Sequence, residues 1–166
     1  MKKSSTRSIT AIAVIIIIFC ALSAAFVIGQ GIVMLIKPAA IGVVWSDTEK
    51  GLQLLIAIGR PLGGAAFFGL ITTFLIKTIK GLKNGILFPS ANVTILYLSA
   101  LALFIYNFCY SNCGILTGKD ALLIDTDDVG MSLKFVDFAM IYRITVRVSE
   151  EKNHTIKRRR NYANNR

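Results

Sequence analysis

The residues best placed to do chemistry are an acidic and a basic side chain in a mostly apolar stretch near the C-terminus. Lys134 and Asp137 lie within residues 129–148, three positions apart, so on a helix they would share one face and can form an ion pair. An ionisable group at mid-membrane depth is costly, and it marks a proton relay, an ion path or a partner contact by default. We treat the two residues as a candidate intramembrane polar site, with a purely structural ion pair as the alternative.

A second candidate is a pair of cysteines, Cys109 and Cys113, at the end of an apolar run. On a continuous helix their Cβ atoms would be too far apart for easy bridging, so a disulfide requires the helix to end between them. A local disulfide and two free thiols are both compatible with the sequence. Because no histidine is nearby, the pair is a weak metal signal.

Patterns typical of enzymes and of metal or nucleotide sites are missing from the sequence. There is one histidine, His154, and there is no phosphate-binding glycine loop, zinc pattern or nucleophile elbow. The acidic segment 125–130 begins like a calcium loop, but Val129 and Val136 stand where oxygen ligands are expected. The sequence therefore predicts a non-enzymatic protein with no catalytic residue, no metal and no cofactor.

A basic cluster occupies residues 157–160 near the C-terminus. Beside a membrane helix such a cluster orients the chain and attracts anionic lipids, each charge contributing ~1 kcal/mol. None of the folds that read nucleic acids accompanies it, so we expect no nucleic-acid partner.

The composition indicates where these residues must be placed. Of the 166 residues, 54% are apolar and only 17% are charged, and the formal net charge is +10. A soluble domain of this length could not hide so much apolar surface, so an ordinary cytosolic enzyme and a disordered chain are both excluded. In such a chain an excess of basic residues indicates charge beside a membrane, and the lipid bilayer is the predicted environment.

Three uncharged runs are long enough to be membrane spans, which need roughly 20 apolar residues. They predict helices at about 9–31, 55–76 and 91–112. Arg60 falls near one end of the second span, where its side chain is expected to reach the membrane surface along its own stem. The first run is far longer than the apolar part of a signal peptide, which predicts an uncleaved span.

A fourth span at about 129–148 is predicted from charge rather than from hydropathy. Residues 2–7, 77–83 and 152–166 are rich in lysine and arginine, whereas the other two connections carry aspartate and glutamate. The positive-inside rule then places both termini in the cytoplasm, which requires an even number of spans. The alternatives for this segment are an interfacial amphipathic helix and, over 144–148, a short strand.

The predicted architecture is therefore an all-α integral membrane four-helix bundle. Residues 1–166 form one domain, with 149–166 as a charged cytosolic tail, in a bacterial inner membrane. Small residues recur every fourth position, including Gly59 and Gly63, and such faces let two helix backbones approach closely. We expect them to pack within one bundle, with homo-oligomerisation as the alternative.

The turn between the second and third spans suits a helix end followed by a helix start. Gly81 and Gly85 fit a left-handed position after a helix, and Ser90 or Asn92 can cap the helix that follows. The short loop predicts that these two spans are antiparallel neighbours.

The turn and the tail resemble a family of short bacterial four-span membrane proteins, the domain of unknown function 2975 family. The shared features are the segment Gly85–Phe88 followed by Asn92-Val93, and a final helix whose end contains Glu150 and Glu151 before Thr155-Ile156. The resemblance implies the four-span architecture and transfers no catalytic residue. Its members are often encoded beside small helix-turn-helix regulators, which implies a regulatory or sensing role.

Two functions follow as hypotheses. The first is a non-enzymatic accessory or sensory membrane component that contacts a membrane or cytosolic protein partner through its turn and tail. Its candidate interaction residues are Gly85, Phe88, Asn92, Glu150 and Glu151. The second is a small oligomeric transporter or channel that uses Asp137 as a proton or cation site.

Overall fold

A computed structural model describes residues 3–38, 43–46, 50–86, 88–117 and 126–164. Within these residues the chain forms four α-helices and a short 3-10 helix, and no strand occurs there. The helices are α1 (Lys3–Ile36), α2 (Lys50–Lys83), α3 (Ala91–Ser111) and α4 (Thr126–Asn164), with the 3-10 helix at Cys113–Thr117. The predicted all-α class is confirmed for this part of the chain.

Three of the described helical segments are long and apolar enough to cross a membrane: Ser8–Ile36, Lys50–Lys83 and Ala91–Thr117. They contain the first three predicted spans, because an uncharged apolar run is a local property that the sequence displays directly. The helix α4 is not among them. Its predicted span holds four charged residues, Lys134, Asp137, Arg143 and Arg147.

The helix α4 runs without a break through residues 144–148, so the alternative of a short strand there is wrong. The buried residues Ala139, Tyr142 and Val146 are three and four positions apart, which is the spacing of one helix face. On a strand Ile144 and Val148 would share one face with Val146, but here they are exposed while Val146 is buried. Contact with α3 therefore imposes the helical period over the local alternation.

The helices pack in chain order, α1 against α2, α2 against α3 and α3 against α4. The helices α2 and α3 approach each other closely at two glycines of α2. A Cβ atom added to Gly63 would lie 2.8 Å from the backbone nitrogen of Tyr106, and one added to Gly59 would lie 2.6 Å from Cys109 Sγ. This small-residue face is therefore used inside the chain, as expected. The face of Ala21, Ala25 and Gly29 on α1 is instead exposed, so the expectation of packing within the bundle is wrong there.

The α2–α3 turn fulfils part of its prediction. Gly85 has a φ of 74°, a left-handed conformation that suits glycine. Gly81, in contrast, belongs to α2 itself. Ser90 occupies the position before α3 without a capping side-chain hydrogen bond. The prediction that Asn92 caps α3 is wrong, because Asn92 lies inside the helix and is fully buried.

Candidate functional site

The side chain of Arg60 lies between helices rather than reaching out to the surface. Its Nη2 donates a hydrogen bond to Gln30 Oε1 on α1 at 3.0 Å, and its Nη1 donates to Cys113 Sγ at 3.5 Å. The guanidinium carbon lies 5.0 Å from the ring centroid of Tyr110, a cation–π distance. The sequence predicted only that Arg60 extends along its own stem to the membrane surface, and it did not indicate these contacts with α1 and the 3-10 helix.

This guanidinium group borders the cavity that we call the Arg60 cavity, which has a volume of about 520 Å³. Most of its wall is apolar, and Gly29 is part of that wall, where an added Cβ would meet no atom within 4 Å. The apolar side chains that line it are Phe26, Val33, Met34, Val43 and Leu116. A volume of 300–1,000 Å³ with few polar groups is typical of small-molecule sites.

Gln53, a buried residue in the first part of α2, fixes the two segments that form one wall of the Arg60 cavity. Its Oε1 accepts from the backbone nitrogen of Ser46 at 2.8 Å, and its Nε2 donates to the carbonyl oxygens of Val44 and Ile115 at 2.9 and 3.0 Å. These bonds join segment 43–46 to the 3-10 helix, so both are fixed beside the cavity. The only sequence signal for this role was a polar amide in an apolar stretch.

A second polar group, the turn cluster, joins α2, the α2–α3 turn, α3 and α4. We define it as Phe74, Thr78, Pro89, Asn92 and Tyr142. Asn92 Nδ2 lies 2.9 Å from Thr78 Oγ1, 3.3 Å from the Tyr142 hydroxyl and 3.4 Å from the Phe74 carbonyl oxygen. The Tyr142 hydroxyl donates to the Pro89 carbonyl oxygen at 3.3 Å.

Aromatic rings surround the buried Tyr142. The ring of Phe74 lies 5.8 Å away and that of Phe88 lies 5.6 Å away, both in edge-to-face geometry. Of the predicted interaction residues, Asn92 is fully buried in the interior, whereas Phe88 is half-buried with its ring against Tyr142. Gly85, Glu150 and Glu151 are exposed, as a surface role requires.

The predicted intramembrane pair is not formed. Lys134 and Asp137 are both exposed on α4, and within the described part of that helix no ion pair joins them. Three positions along a helix bring two side chains to one face, but these two extend away from the neighbouring helices. In a single chain neither residue borders the interior.

The two cysteines of the predicted pair are free thiols, and so is Cys20. Cys113 is the first residue of the 3-10 helix, and its Sγ donates to the carbonyl oxygen of Cys109 at 3.2 Å. The chain thus keeps a helix-like spacing across the end of α3. Of the two alternatives, the structure has the free thiols.

Among the described residues no group of three or more histidine, cysteine, aspartate or glutamate side chains could hold a metal ion. Most of the acidic loop before α4, residues 118–125, lies outside the described residues, as do the side chains of the basic cluster 157–160. Comparisons with family models, characterised proteins and solved structures find no match to this chain.

Proposed function

We propose that this chain is a four-span protein of a bacterial inner membrane, with both termini in the cytoplasm. It acts as a non-enzymatic accessory or sensory component through the α2–α3 turn and the tail 149–166. The observation that carries the proposal is the uninterrupted α4, which links helix contacts in the bundle to the charged tail. The resemblance to the domain of unknown function 2975 family is consistent with this role.

Helix contacts support the fourth span. Leu96 of α3 packs with Ala139, Tyr142 and Val146 of α4, and a shallow apolar groove between the two helices is lined by Phe104 and Val129. The two helices are therefore antiparallel neighbours over most of the length of α3. If α3 lies in the bilayer, this part of α4 lies at the same depth despite its four charges.

The turn cluster supports signal transfer along α4. It fixes Tyr142 against α2, the turn and α3, and the helix then continues to Asn164. At 1.5 Å per residue this extension is about 33 Å long. A shift of α4 against its neighbours in the membrane would therefore move the charged tail.

The transporter hypothesis fits the geometry less well. Asp137 is exposed on the outer face of α4, so a single chain offers it no path through the bundle. It could line a path only between copies of the chain. We therefore keep an oligomeric transporter or channel as the second candidate.

The topology can be tested with reporters fused after Arg166 and inserted at Gly85 and within residues 120–125. We expect the first two positions to report the cytoplasm and the third to report the periplasm, because lysine and arginine are retained inside. Alkaline phosphatase and a fluorescent protein, which are active on opposite sides, give the matched measurement. A periplasmic signal at Arg166 would reject the four-span scheme.

The accessory role can be tested by photo-crosslinking in native membranes. A photoreactive residue at the exposed Glu150 should capture one discrete protein, identified by mass spectrometry, that is also captured from the exposed Asn84 in the turn. The same residue at the exposed Met131, at the opposite end of the proposed span, is the control and should not capture it. Crosslinks to lipid alone from Glu150 and Asn84 would contradict the role.

A further inference from the structure

The Arg60 cavity has no part in the proposed contacts of the turn and the tail. It lies near the last residues of α1 and α3, far along α2 from the turn cluster. In the proposed topology this is the periplasmic side of the membrane. The cavity is mostly apolar, yet the cationic guanidinium group of Arg60 borders it.

The guanidinium group of Arg60 lacks a charged partner among the described residues. Its contacts are a neutral amide, a thiol and an aromatic ring, and its Nε is buried without a hydrogen-bond partner. A cation in apolar surroundings is costly unless an anion compensates it. The planar guanidinium group of Arg60 can donate two parallel hydrogen bonds to the oxygens of a carboxylate or a phosphate group.

We propose that the Arg60 cavity binds a membrane amphiphile through its anionic head, a carboxylate or a phosphate, with the acyl chain along α1. Phe26 and Val33 line the cavity and are also exposed, at 66% and 44%, so the cavity is continuous with the outer face of α1. An acyl chain can therefore pass from the bilayer into the cavity without crossing water.

The head group must determine the affinity. An acyl chain in a bilayer is already in apolar surroundings, so moving it against Phe26 gains little free energy. A charge-assisted hydrogen bond to Arg60 is the contact that the bilayer interior does not supply. A neutral ester with the same chain should therefore bind far more weakly than the acid.

The chain carries its own reporter for binding. Trp45 is the single tryptophan, and it packs against the cluster that contains Val43 and Leu116, two residues of the cavity wall. A brominated acyl chain in the cavity should therefore quench its fluorescence. The experiment uses the full chain in phosphatidylcholine nanodiscs, titrated with brominated stearic acid, its methyl ester or brominated phosphatidylglycerol.

We expect saturable quenching by the acid, by phosphatidylglycerol or by both, and only a linear, unsaturable loss with the ester. The lipid that saturates identifies the head group as a carboxylate or a phosphate. Arg60→Gln should raise the half-saturating mole fraction about tenfold, which corresponds to about 1.4 kcal/mol. The control Lys77→Gln removes an equal charge from an exposed site on the same helix and should behave as wild type.

Gly29→Leu provides a second variant if Arg60→Gln folds poorly. Its Cβ meets open space, so the side chain should fill the cavity and abolish saturation without disturbing the helix. Identical titrations for wild type and both variants, or saturable quenching by the ester, would overturn the proposal. The inference rests on the proposed membrane insertion, but binding is measured without a protein partner, so it can fail while the accessory role stands.

Discussion

Replacing Gly63 with leucine is expected to destabilise the protein by about 3 kcal/mol or more, because it forces α2 and α3 apart. A Cβ at this position would lie 2.8 Å from the Tyr106 nitrogen and 3.2 Å from the Ala102 carbonyl oxygen. Both are backbone atoms of α3, so no side chain can rotate to make room. The two helices must therefore separate. Their separation would also break the neighbouring contact between Gly59 and Cys109.

The matched control is Gly69→Leu in the same helix. A Cβ there meets no atom within 4 Å, and leucine favours helix over glycine by about 0.8 kcal/mol. Unfolding of both variants in mixed micelles, titrated with a denaturing detergent and followed by circular dichroism, gives the comparison. Equal loss of stability in the two variants would show that the α2–α3 contact is not as close as described.

The sequence predicted those features of the fold that depend on local composition. An uncharged run such as 8–36 makes a helix long enough to span wherever its neighbours lie. The spacing of Gly59 and Gly63 likewise indicates one close face on a helix. Which helix meets that face is not a local property. The short turn before α3 indicates that α2 and α3 are neighbours, but it does not indicate which face of α2 contacts α3.

The side-chain partners at the two polar sites were beyond the sequence, because each partner is distant in the chain. Arg60 has its Gln30 contact thirty positions away, and the charge alone indicated only a surface position. Asn92 resembles a helix cap when its neighbours alone are considered. Its buried side chain contacts Tyr142, which lies fifty positions later in the chain. No sequence pattern near the turn indicates this contact.

The proposal that α4 is a span rests on charge patterning and on the contacts of α4 with α3. The hydropathy of residues 129–148 is weak because Lys134 and Asp137 interrupt it, so the sequence argument relied on lysine and arginine in the connections. Ala139 contacts α3 from a face of α4 that differs from the face carrying Lys134 and Asp137. The two charges lie on the exposed face, so they lower the hydropathy without interrupting the contact with α3.

Tyr142→Ala is expected to release α4 from the other helices, with a loss of about 3 kcal/mol. The substitution removes a ring that is 7% exposed, together with its edge contacts to Phe74 and Phe88 and its hydrogen bond to Pro89. Truncation of a buried aromatic residue costs about 3–5 kcal/mol in water-soluble proteins. The lower value is expected here because, when α4 of the wild type separates from its neighbours, the Tyr142 ring is transferred to lipid rather than to water. Burying the ring in the bundle therefore gains less free energy than it would in a water-soluble protein.

Hydrogen exchange of the α4 amides in nanodiscs measures this release. We expect faster exchange over residues 129–148 in Tyr142→Ala, with α1 unchanged, because within the described part of the chain α1 packs against α2 and not against α4. Tyr142→Phe keeps the ring and loses only the hydroxyl contacts, about 1 kcal/mol, so its exchange should rise modestly. Phe138→Ala truncates an exposed ring on the same helix and should leave exchange unchanged. If the amides of residues 129–148 exchange at the same rate in Tyr142→Ala and Phe138→Ala, the turn cluster does not anchor α4. In that case the turn cluster cannot couple α4 to the tail.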